Sequence, residues 1–156
     1  MNAIDRFRDL VGRRGWLLAD GATGTNLFAL GLTAGDAPEL CNVDNPEPVR
    51  SVYRGAMLAG AELVLTNSFG AIRSRLQLHH AGDRSHELAR QSAVLAHEVA
   101  DELSCSPIIA GSMGPSGELM APVGKLARSV AIEMFQEQAE GLKAGGAALA
   151  LSLIHI

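Results

Sequence analysis

The chain has 156 residues, of which 47% are hydrophobic and 19% charged, enough to bury a sizeable core. Its formal net charge of -4 gives no electrostatic attraction to nucleic acid or to an anionic membrane surface. The longest apolar run, AALALSLI at 147–154, is far short of the roughly 20 residues of a membrane span, and the charge-dotted amino terminus lacks an apolar secretory segment, which predicts a cytoplasmic protein.

In chain order, IDRFRDLVGRR places Ile4, Phe7, Leu10 and Val11 at helical spacing. WLLAD, 16–20, is a short apolar run that fits a buried strand ending on a carboxylate. The prolines of NPEPVRSVYRGAMLAG suit a helix start; Val49, Val52, Tyr53, Ala56 and Met57 then share a face, and Gly60 stops the helix. AELVLT, 61–66, reads as the next strand. A long helix follows over 83–103, with Leu88, Val94, Leu95, Val99 and Leu103 as its stripe. PIIAG, 107–111, is the third strand. The helix over 127–144 is expected to turn Ile132, Phe135, Ala139 and Leu142 inward and to end at Gly145 and Gly146. AALALSL is expected as a fourth strand.

Strands apolar on both faces, alternating with helices, predict an α/β fold with a parallel sheet. A doubly wound sheet and part of a (β/α)8 barrel both satisfy this pattern. Either one places chemistry at the carboxyl ends of the strands. The polar, glycine-rich segments obey that rule: DGATGT follows the first strand, TNSFG the second and GSMGPSGE the third.

DGATGT is not a dinucleotide fingerprint, because only Gly21 and Gly24 stand there and Asp20 would repel a diphosphate. A phosphate-binding loop ending at Gly124-Lys125 is excluded by Leu119 and Leu126, which occupy its glycine and hydroxyl positions. Asp20 suits a cation instead. With Gly21 opening the backbone, it can hold an ammonium group by a charge-assisted hydrogen bond, or it can cap the following helix. Asn67, Ser68 and Ser112 carry the same two readings.

Cys41 and Cys105 show no C-x-x-C spacing and read as reduced thiols. His86 and His97 share a helix face about three turns apart, roughly 16 Å, too far to share a metal, and read as solvated positions.

LLADGATGTNLFALGL, AGAELVLTNSFGA and IAGSMGPSGELMAPVGKL, in this order, resemble the opening half of the homocysteine S-methyltransferase domain, over residues 4 to about 147. The resemblance implies the amino-terminal half, about four βα units, of a (β/α)8 TIM barrel. It implies transfer of a methyl group to homocysteine to give methionine, from a small donor that is betaine-like, S-methylmethionine or methylfolate/cobalamin. It also implies a zinc ion, held by three cysteine thiolates, that lowers the pKa of the homocysteine thiol.

By the same resemblance, Asp20 and Gly21 match the D-G pair at the amino-acid end of homocysteine. Asn67 matches the T-N motif of the second strand, and Ser112 with Gly114 the third-strand G-P loop. Cys41 and Cys105 match none of the zinc ligands, so no metal or catalytic residue is assigned to this chain. A half barrel leaves open sheet edges and an apolar face without its opposite wall, which predicts self-association and no turnover by these residues alone. The closing LSLIHI resembles a translated sequencing-adapter tail, so 1–147 is expected to be the partial barrel and 148–156 an artefactual tail. The competing reading is a non-catalytic α/β module that binds a small amino acid.

Overall fold

Strands β1 (Leu63–Leu65), β2 (Ile108–Met113) and β3 (Leu149–Ser152) run parallel, side by side in chain order, in the computed structural model, which describes residues 2–152. Leu63 stands opposite Ile108, and Ala110 opposite Leu149. Parallel neighbours require crossovers. Helix α6 (Ser85–Glu102) lies between β1 and β2, and α7 (Arg128–Ala144) between β2 and β3. The remaining helices are α1 (Ala3–Arg14), α2 (Thr23–Ala29), α3 (Cys41–Asp44), α4 (Pro46–Leu58) and α5 (Arg73–Leu76).

Alternate strand residues enter different cores, as a pleated strand dictates. Val64 and Ile109 pack with Val49, Val52, Tyr53 and Met57 of α4 and with Leu95 and Val99 of α6. Leu63, Ile108 and Ala110 pack with Phe7 and Leu10 of α1 and with Leu17. The sheet face expected to be bare is therefore partly covered by α1, and exposure returns toward the free edge, where Leu151 is 42% exposed.

The segment 16–20 departs from its expected strand. It contributes one bridge residue, Ala19 beside Leu63, so the described sheet has three strands. Glu62 N and Leu63 N both donate to Leu18 O, at 2.8 and 3.1 Å, while Leu18 N donates to the Glu62 carboxylate at 3.1 Å. Two donors on one carbonyl and a side chain in place of a backbone acceptor stop the ladder from propagating. Asp20 N still reaches Leu63 O at 3.0 Å, which fixes the start of the next loop.

Helix α7 keeps most of its expected face, with Leu142 buried and Phe135 and Ala139 packed against the core, but Ile132 departs from it at 52% exposed; Ala131, Met134, Gln138 and Gly141 are buried as well. Glycines set this phase. A Cβ at Gly141 would lie 2.5 Å from His86 O, and one at Gly145 would lie 2.3 Å from Arg90 O. Positions 131, 134, 138, 141 and 145 recur at helical spacing, so the backbone contact with α6, and not the largest apolar side chains, decides which face is buried.

His86 and His97 are exposed, and His97 Nε2 is hydrogen-bonded to Gly146 O at 3.0 Å. No helix among the described residues is long and apolar enough to cross a membrane. Of the expected tail, residues 149–152 form β3; residues 153–156, including His155, lie outside the described residues.

Candidate functional site

The segment Thr66–Gly70 leaves the carboxyl end of β1 and is held from several directions. Asn67 N donates to the Tyr53 hydroxyl at 2.7 Å, and that hydroxyl donates onward to Ser92 O at 3.2 Å. Tyr53 is fully buried, which pushes its phenol well above its ordinary range and keeps it neutral. The Asn67 amide nitrogen donates to Pro38 O at 2.8 Å and to Asn42 Oδ1 at 2.9 Å; Asn42 Nδ2 returns a bond to Asn67 O at 2.8 Å. Glu39 Oε1 accepts Gly70 N at 2.6 Å. The 38–42 segment thus clamps the loop after β1.

The loop is joined to β2 by hydroxyls. Ser68 Oγ donates to Ser112 O at 2.8 Å, and Ser112 N donates to Thr66 Oγ1 at 3.1 Å. With the Ser68 proton so engaged, the 2.6 Å contact between the two hydroxyls is one in which Thr66 donates. Gln138, buried on α7, donates to Ser68 O at 2.6 Å, and its own Oε1 has no partner among the described residues. Gly114 N donates to Phe69 O at 2.9 Å, and a Cβ at Gly114 would lie 2.6 Å from that oxygen.

Asn67 and Ser112 line a cavity of about 340 Å³ at the carboxyl ends of β1 and β2, together with Thr23, Glu39, Phe69 and Arg75. Asp20 and Gly21 line a second cavity between α2 and α4. The four residues singled out in the sequence therefore occupy two cavities, linked by one hydrogen bond: Asp20 Oδ1 accepts the N–H of Leu65, a residue lining the first, at 2.9 Å. Asp20 does not cap α2, whose N-cap is Ala22 without a side-chain bond. Its Oδ2 is buried and has no partner among the described residues. Burial raises the Asp20 carboxyl above its ordinary value, against the pull of the amides of Leu65 and of Asp20 itself.

Tyr53, Asn42, Glu39 and Gln138 were not singled out. Glu39 is 6% exposed, and a polar residue inside the apolar run APELCNV was its only visible signal. Burial pushes its carboxyl up, opposed by its own and the Gly70 amides, then by Arg75 and His79.

The model of the family described as Homocysteine S-methyltransferase matches residues 17–153. The chain belongs to this family. It is 35% identical over 141 residues to methionine synthase from Mycobacterium tuberculosis, which covers 84% of this chain and 12% of that protein. It is 30% identical over 130 residues to homocysteine S-methyltransferase from Escherichia coli, covering 78% of this chain and 42% of that protein. The metallated crystal structure of the homocysteine methyltransferase MmuM from E. coli superposes with a TM-score of 0.79 at 25% identity, over 97% of this chain and 57% of that one. Its oxidized form gives 0.77 at 26% identity, over 96% and 56%. The chain thus spans a minor share of the curated relatives and somewhat over half of the solved ones.

The thiolate-held metal implied by the family resemblance does not fit the residues described. Cys41 and Cys105 are half-buried against the core of α4 and α6, and Cys105 lies at the amino end of β2, away from the loops. Burial, with Asp36, Asp44 and Glu39 nearby, raises the Cys41 thiol and disfavours the thiolate a metal needs. Among the described residues no three His, Cys, Asp or Glu side chains gather as metal ligands.

Proposed function

We propose that this homocysteine S-methyltransferase chain supplies the amino-acid side of a methyl-transfer site on a (β/α)8 barrel, where a small donor methylates the sulfur of homocysteine to give methionine. The donor is betaine-like, S-methylmethionine or methylfolate/cobalamin, and the protein works in the cytoplasm and self-associates through its sheet edges. Asp20 and Gly21 face the amino group, while the loops of Asn67 and Ser112 shape the cavity beside them.

The observation that carries this reading is Asp20 Oδ2, a buried carboxylate oxygen with no donor among the described residues. Such an atom is costly unless a donor reaches it. An ammonium group supplies N–H donors and opposite charge together, and the raised carboxyl pKa would fall as it arrived. Orientation is this chain's share of the reaction: with the amino end fixed, the thiol is presented in one direction toward the donor.

Calorimetric titration of L-homocysteine into the 156-residue chain tests the reading. Asp20→Asn keeps an oxygen for Leu65 N but removes the charge, and is expected to weaken binding about tenfold or more without lowering the melting temperature. Unchanged affinity in that variant would contradict it.

A further inference from the structure

The cavity between the 38–42 clamp and the loop after β1 carries separated opposite charges. Glu39 contributes a buried carboxylate, one oxygen of which accepts Gly70 N at 2.6 Å. Arg75, in α5, lines the same cavity. Its guanidinium lies 5.9 Å from the centroid of the Phe69 ring and forms no ion pair among the described residues. Its neighbour Arg73 is paired with Glu137, and Arg84 with Asp44 and Glu87. Glu39 and Arg75 sense each other electrostatically without joining in a salt bridge.

Two features show that this arrangement is built into the loop. A Cβ at Gly70 would meet the Glu39 carboxylate at 2.8 Å, so a side chain there would displace the acid from its present position. The same cavity is lined by Asn67 and Ser112 beside apolar residues such as Leu65 and Phe69, and its roughly 340 Å³ suits a small molecule. A carboxylate and a guanidinium lining one cavity without pairing complement a molecule that carries both charges itself.

We propose that Glu39 and Arg75 form a binding site for a small zwitterion, with Glu39 facing its ammonium or onium group and Arg75 its carboxylate. The inference deepens the reading above, which places Asp20 in a second cavity. The chemistry is shared by two sources: a methyl donor that is an onium carboxylate, bound while Asp20 holds the acceptor, and homocysteine, whose ammonium would then meet Glu39 in place of Asp20. Either one brings its own counter-charge to each residue.

The test is binding of L-homocysteine, glycine betaine and 4-mercaptobutyrate, which is homocysteine without its ammonium, to the wild-type chain and to Glu39→Gln and Arg75→Gln. Glutamine at 39 retains an oxygen for Gly70 N, and position 75 is exposed, so both variants are expected to fold; their melting temperatures check this. The proposal expects both variants to weaken the same zwitterion about tenfold or more. Loss confined to homocysteine assigns the site to the methyl acceptor, and loss confined to betaine assigns it to the donor. Where 4-mercaptobutyrate binds, Arg75→Gln weakens it and Glu39→Gln does not. Unchanged affinities for both zwitterions in both variants would overturn the proposal while leaving the Asp20 reading intact. A wild-type chain that binds neither zwitterion would overturn both.

Discussion

Glu39 is costly to bury in the candidate site. A carboxylate 6% exposed gives up hydration, and the Gly70 amide returns only part of it. Its folded pKa is raised above the ordinary 4.5, so the folded state holds the proton more tightly than the unfolded chain. By linkage, the stabilising contribution of the protonated group is complete below 4.5 and is lost as pH rises through the folded value. Glu39→Gln removes the titration but keeps the acceptor. Its melting temperature is expected to exceed that of the wild type at pH 7, with the gap narrowing as pH falls toward 4.5 and steady below it. Thermal melts across this range check it; a gap that widens on acidification would be the wrong sign. The same substitution is expected to weaken zwitterion binding, a trade of stability against function common at binding sites.

Helices α6 and α7 determine where that site's floor lies, because Gln138 on α7 bonds Ser68 O only if the two helices pack at this separation. Gly145→Ala places a methyl 2.3 Å from Arg90 O, so the helices must part. We expect a loss of about 1–3 kcal/mol in urea unfolding, typical of overpacking; stability equal to the wild type would mean that the contact is not constraining. The apolar period located both helices in the sequence, since burial of a stripe is a local pattern. It misplaced Ile132 on α7 because a backbone contact at Gly141 and Gly145 leaves no apolar mark. It likewise made 16–20 a strand, because the capture of Leu18 N by the Glu62 side chain depends on a residue 44 positions away. The post-strand loops were legible from their glycines and small polar residues. The residues that hold them were not: Asn42 lies 25 positions from Asn67, and Glu39 31 positions from Gly70, and no spacing rule links such pairs.

At the scale of the whole molecule, three parallel strands, their crossover helices and α1 form a frame whose polar loops collect at one end of the sheet. Trp16 and Leu18, 60% and 49% exposed, lie on the edge beside β1, and Leu151 on β3 at the other, so both edges present apolar surface. This is the geometry behind the proposed self-association. The frame matches part of a homocysteine methyltransferase fold, and the central claim is that its loop end takes the amino acid. That claim is tested most directly by the amide spectrum of the nitrogen-15-labelled chain during titration with L-homocysteine. The account predicts saturable shifts at Leu65, Asn67, Gly70, Ser112 and Gly114, the amides that bond Asp20, Tyr53, Glu39, Thr66 and Phe69. A spectrum unmoved at millimolar homocysteine, or shifts confined to the amino ends of the strands, would contradict it.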